Sequence, residues 1–244
     1  MDRVIPYCGE GPVPAQLPAR WNLDPWVLGV LAIAAAWLAL RRGRSTVQST
    51  AGWAAIAVLA INFVSPLCAL SSALFSARVL HHALLVVAAA PLIAWAPRRP
   101  AAAPLGLLAA SLAHVALFWI WHSPPAYGAA LSSDLLYWVM QVSLLGSAVL
   151  FWMAVRQSAS LAAAGALLGV MMATGLLGAL LTFAGRPLYA PHLATTAAWG
   201  LSPLEDQQLA GLIMWAPMAL AYLGVALALV GRTLASSSQA RAGA

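Results

Sequence analysis

Apolar residues in this chain run on in seven long blocks rather than alternating with polar ones, and each block ends at arginine, proline or a short polar break. The first runs from Pro25 to Leu40 and stops at Arg41-Arg42-Gly43-Arg44; the second covers Gly52 to Val64 and is closed by Pro66. The third runs from Arg78 to Trp95, with a kink expected at Pro91, and meets Arg98-Arg99. The fourth spans Ala102 to Trp121, and the fifth spans Leu135 to Val155 and ends at Arg156. The sixth, Ser160 to Phe183, carries Gly165 and Gly169, a small-xxx-small spacing that predicts close helix approach. The seventh runs from Pro203 to Val230, with Pro217 inside it and Arg232 after it. Blocks apolar on every face predict helices that cross a hydrocarbon layer of about 30 Å, because only helices and closed barrels satisfy their own backbone there. The first two blocks are short, so their ends are expected to extend outward. The fold class that follows is all-α: a polytopic membrane protein of seven transmembrane helices.

Three segments follow from the same pattern: a polar arm over 1–24, a transmembrane domain over 25–232 and a tail over 233–244. The arm holds several prolines and no apolar core, so it does not read as a cleavable signal peptide. Asp24 before Pro25 reads as a helix N-cap with proline at the first helical position. Trp21 and Trp26 sit where an interfacial aromatic belt belongs. The chain has 244 residues, 63% hydrophobic and 7% charged, and this composition excludes a soluble domain. Its net charge of +6 comes from arginine, with no lysine. In a membrane protein such a balance reports orientation, not nucleic-acid binding. With the N-terminus outside, Arg41, Arg42, Arg44, Arg98, Arg99, Arg156, Arg232 and Arg241 face the cytoplasm, and Arg3, Arg20, Arg78 and Arg186 face out. The positive-inside rule therefore predicts N-out, C-in.

That orientation gathers the ionisable residues on the outer face. Arg78, His81 and His82 lie within one helical turn of each other, and such groups in hydrocarbon are functional candidates by default. Interfacial anchoring by Arg78, with the histidines bonding backbone, is the structural alternative. His122 ends the fourth helix before Pro124-Pro125, where an imidazolium also suits the helix dipole. His114 lies deeper and is expected to bond a neighbouring helix, while His192 is expected to be solvated. Ser202-Pro203-Leu204-Glu205 is a capping box, which accounts for Glu205, and Asp206 adds charge to the same first turn. Arg186 is placed to pair with either acid. Met140, Met214 and Met218 are soft ligands by chemistry, but methionine in an apolar helix also packs well. Cys8 and Cys68 read equally as a disulfide or as two thiolates. The chain shows no phosphate loop, no paired acids and no nucleophilic triad, so an enzyme is not expected.

Several motifs together resemble the CtaG-type cytochrome c oxidase assembly factors, seven-helix membrane proteins linked to building haem–copper oxidases. They are Gly178-Ala179-Leu180-Leu181-Thr182-Phe183 with Arg186-Pro187-Leu188-Tyr189, and Trp199-Gly200-Leu201-Ser202-Pro203-Leu204-Glu205-Asp206-Gln207-Gln208-Leu209-Ala210-Gly211. Trp121-His122 with Pro124 and Tyr127, Phe75-Ser76-Ala77 and His82-Ala83-Leu84-Leu85 add to them. The family's third helix usually carries two histidines one turn apart; His82 matches the second, and Arg78 stands in place of the first. Gln141 stands where a fifth-helix histidine is common. The resemblance implies a bacterial inner-membrane factor that assists copper delivery, copper insertion or subunit maturation. Its expected partners are oxidase subunits, other assembly factors and the lipid bilayer. The expected cofactor is copper, held as Cu(I) by His81, His82, Cys68 and His122, with Arg78, Arg186, Trp199, Glu205 and Asp206 as partner-facing or structural residues. A haem- or quinone-binding electron carrier and a cofactor-free scaffold are the rival readings.

Overall fold

The computed structural model describes residues 5–40, 45–96 and 103–242, with the side chains of 237–242 left aside. Arg41, Arg42, Arg44, Arg98 and Arg99, on which the orientation rests most heavily, lie outside the described residues. The described residues form helices and no strand: α1 (Pro25–Leu40), α2 (Thr46–Phe63), α3 (Leu67–Ala73), α4 (Phe75–Ala83), α5 (Ala90–Trp95) and α6 (Leu107–His122). They continue as α7 (Pro124–Leu131), α8 (Asp134–Gln157), α9 (Ser160–Thr182), α10 (Pro203–Ile213) and α11 (Ala219–Ala242).

Five helical stretches are long and apolar enough to cross a membrane: Thr46–Phe63, Phe75–Trp95, Asp134–Gln157, Ser160–Thr182 and Pro203–Ser236. A sixth is gained if α6 and α7, bent by 72°, count as one broken span. The remaining apolar block, α1, is a 16-residue helix. The bend falls at Pro124-Pro125, which begin α7, where missing N–H groups cost no helical bond. Pro91 follows a π-turn over Leu84–Ala89, and Pro217 lies inside another over Met214–Met218. The wider turn lets a later N–H serve the carbonyl that a proline ring leaves without a donor.

The apolar helices expose apolar side chains on their outer faces and enclose others in the core. Val30, Ile33, Leu168, Met172 and Leu176 are exposed, while Leu85, Phe118, Met140, Leu144, Phe151 and Tyr222 are fully enclosed. Gly165 and Gly169, the expected close-approach pair, face open space. The close approach occurs instead between α9 and α10. A Cβ on Gly178 would lie 2.8 Å from the Gly211 carbonyl oxygen, and one on Gly211 would lie 2.5 Å from that of Gly178.

One end of the bundle is closed by the arm. Cys8 and Cys68 form a disulfide. The Trp199 indole donates to the Pro12 carbonyl at 2.9 Å, and Arg20 donates to the Glu10 carbonyl at 2.7 Å. Asp24 caps α1 by accepting from the Trp26 N–H at 2.7 Å, and its second oxygen accepts from the Tyr7 hydroxyl at 2.5 Å. That hydroxyl holds the Asp24 carboxyl below its ordinary range, whereas burial and the carboxylate push the Tyr7 phenol up. This closed region is called the capped end below.

Candidate functional site

Beneath the capped end, Leu74 adopts an extended conformation (φ −124°, ψ 132°) that separates α3 from α4. An apolar residue at that position offers no side-chain cap, so the first N–H groups of α4 need an acceptor from elsewhere. Asp206 supplies it from 131 positions away. One oxygen accepts from the Phe75 N–H at 2.7 Å, and the other accepts from the Ser76 N–H at 3.1 Å and from the Ser76 hydroxyl. Asp206 is fully buried. It stands in the first turn of α10, as expected, but Ser202 and Glu205 complete that helix's capping box by themselves, which leaves the Asp206 oxygens free to turn inward. Arg186 pairs with neither acid. Its side chain is exposed, and its carbonyl accepts from Gln207, whose Oε1 takes the Leu188 N–H at 2.7 Å.

With its start fixed, α4 carries Arg78, His81 and His82 into the interior, all completely buried. Adjacent helical residues point about 100° apart, so His81 and His82 face different neighbours, while Arg78, three and four residues before them, lies between their directions on the same face. His82 turns toward α6 and α8. His81 packs edge-on against Phe63 of α2, with ring centroids 5.1 Å apart. Arg78 lies 5.2 Å over the Tyr137 ring. The interfacial anchoring that sequence alone allowed for Arg78 is thus replaced by full burial.

His82 Nδ1 and His122 Nε2 are 3.2 Å apart. Their tautomers follow from the neighbours. His122 Nδ1 is 2.7 Å from the Phe118 carbonyl, which can only accept, so Nδ1 carries the hydrogen and Nε2 is the acceptor. His82 then donates through Nδ1 and accepts at Nε2 from the Gln141 amide at 3.4 Å. The result is a one-way chain, Gln141 to His82 to His122 to Phe118, with both imidazoles neutral. The Gln141 Oε1 atom is left buried and without a partner. Tyr189 steadies the far side by donating its hydroxyl to the His122 carbonyl at 2.6 Å.

Of the expected ligand set, only His82 and His122 meet. Cys68 is taken up by its bridge to Cys8, and His81 faces another helix. Among the described residues no three His, Cys, Asp or Glu side chains gather closely enough to hold a metal ion. His114 bonds Ser147 of α8 at 3.1 Å, and Met140, Met214 and Met218 are packed in the core. Gln141, Tyr189 and Tyr127 are the polar neighbours that no spacing pattern singled out as site residues.

His192, expected in solvent, is buried, with Nε2 2.7 Å from the Tyr127 hydroxyl. Burial lowers its pKa from 6.5 to about 4. A depressed histidine pKa means that the folded state holds the neutral form, so the unfolded chain binds more protons in acid. This contribution to stability is complete above about pH 6.5 and is lost as pH falls toward 4. Thermal midpoints measured across that window should fall with acidity, and His192→Gln should flatten the decline. An unchanged slope in that variant would remove His192 as its source.

No curated protein and no solved structure matches this chain. The sequence model of the cytochrome c oxidase caa3 assembly factor family (Caa3_CtaG) matches residues 21–236, from the end of the arm through the last membrane-length helix. The Asp206 cap, the histidine pair and their supporting tyrosines all fall within that match, and the chain belongs to the cytochrome c oxidase caa3 assembly factor family.

Proposed function

We propose that this protein assists maturation of a cytochrome c oxidase in the bacterial inner membrane, working as a seven-span protein with its capped end outside, and that it passes Cu(I) as cargo through the His82–His122 pair. The observation that carries this reading is the 3.2 Å nitrogen–nitrogen separation. Metal–imidazole bonds of about 2.0–2.1 Å give a tetrahedral edge of roughly 3.3–3.4 Å, so the pair matches two corners of such a site. Two protein ligands with the other corners open suit an ion that must leave again. His82 offers the Nδ1 lone pair once its hydrogen moves to Nε2, and the unpartnered Gln141 Oε1 is the acceptor for it after the amide turns over. Cys68 joins the set only if its bridge to Cys8 opens. The N-out orientation is supported by that same bridge, since disulfides persist in oxidising compartments.

The test is copper retained by protein purified under reducing conditions and challenged with a Cu(I) chelator. His82→Ala and His122→Ala should each lower retention at least about tenfold, since each removes one of two ligands. They should also lower the yield of mature oxidase. Equal retention in both variants would leave the cofactor-free scaffold as the reading. The haem-carrier reading predicts a Soret band. The close approach of the two imidazoles leaves no room for a macrocycle between them, so none is expected. A C-terminal alkaline phosphatase fusion should be inactive; activity there would reverse the orientation.

A further inference from the structure

Arg78 and Asp206 are the two buried charged residues among the described ones, and they do not serve each other. Asp206 gives both oxygens to the start of α4. Arg78 has Nε, Nη1 and Nη2 all buried without a hydrogen-bond partner. The Tyr127 and Tyr137 hydroxyls approach it only as weak, long hydrogen-bond partners, the Tyr137 ring lies under it, and the imidazoles of His81, His82 and His192 interact with it electrostatically. The imidazoles and hydroxyls carry no negative charge, and a guanidinium does not shed its proton. A buried cation with no close hydrogen bond, met only by neutral hydroxyls and imidazoles, is costly unless a negative charge accepts from it.

We infer that Arg78 is the centre of an internal site for a small monovalent anion, of chloride size. Complete enclosure restricts the guest to a small one, and a single guanidinium balances a single negative charge. Further unpartnered polar atoms lie on the segments that pack over the start of α4: Ser72 Oγ and Thr196 Oγ1. Ser72 also lines a cleft of about 580 Å³ at the capped end, bounded by Glu10, Gly128, Pro191 and Thr195. His192 links this region inward through the Tyr127 hydroxyl, which faces Arg78. The site does not rest on the copper reading: His82 neighbours Arg78 but supplies no group that would hold the anion.

The experiment compares thermal midpoints of the full-length protein in zwitterionic nanodiscs, at constant ionic strength, as chloride or bromide replaces gluconate. The expected result is a saturable rise of roughly 3–6 °C at ten times the half-saturating concentration, absent with sulfate. Arg78→Met should abolish the rise, and Arg78→Lys should raise the half-saturating concentration at least about tenfold, because an ammonium lacks the planar fork. If Arg78→Met yields no folded protein, the wild-type anion series and Arg78→Lys decide alone. Identical wild-type midpoints in gluconate and halide would overturn the site, as would a halide response that survives in Arg78→Met or is unchanged in Arg78→Lys.

Discussion

Asp206→Ala is expected to cost about 3–5 kcal/mol, because it removes a charged acceptor from three donors at once and leaves two backbone N–H groups buried without partners. The damage should spread beyond α10, since the start of α4 sets the positions of Arg78, His81 and His82. Asp206→Asn keeps one good acceptor but turns an NH2 group toward a donor, so its cost should be smaller, about 1.5–3 kcal/mol. The neighbouring acid provides the control. Glu205 is exposed and closes only its own capping box, which glutamine also completes, so Glu205→Gln should unfold at the same denaturant midpoint as wild type. Denaturant unfolding in detergent, followed by tryptophan emission, reads all three. An Asp206→Ala protein within 1 kcal/mol of wild type would show that α4 starts without this cap.

Gly211→Ala should be nearly as harmful, at about 3 kcal/mol, the upper end for overpacking. Its new methyl would meet the Gly178 carbonyl oxygen at 2.5 Å and the Thr182 nitrogen at 2.6 Å, and backbone cannot rotate aside. Gly178→Ala meets the Gly211 oxygen at 2.8 Å and Met214 Cβ at 2.9 Å, so the two helices would have to part. Gly165→Ala and Gly169→Ala meet nothing within 4 Å and should fall within about 0.5 kcal/mol of wild type. Parallel melting curves of the four variants separate the pairs. Tolerance of Gly211→Ala would mean that α9 and α10 pack less closely than their backbones indicate.

The all-helical class and five of the membrane-length stretches were readable because hydrocarbon demands long apolar helices, and the α6–α7 bend because two prolines announce it. The break at Leu74 was not. No glycine or proline marks Ser71-Ser72-Ala73-Leu74-Phe75, and what restarts the helix is a carboxylate 131 residues away. The capping box concealed Asp206 for a related reason: a residue in an acidic first turn already has a local explanation. Equal depth anticipated that His82 and His122 could meet. Depth says nothing about azimuth, however, and so His81 was grouped with a neighbour from which it points away. Gln141, alone among apolar residues, has no periodicity that would mark its bond to His82. The glycine pair failed because a small-residue spacing shows where a helix can be approached, while its partner helix determines where it is.

The bridge between Cys8 and Cys68 makes the front of this protein a covalent ring. The arm, α1 and α2 lie within that ring, so both helices are threaded between two joined points at the same end of the bundle. α1 packs chiefly on α2 and exposes Val30, Ile33 and Leu40. Its attachment is therefore largely a leash, with Asn22 bonding the Phe63 and Val64 carbonyls as a second knot. The bridge thus fixes where α1 begins by covalent connection, independently of how much of its surface α1 buries against the rest of the bundle.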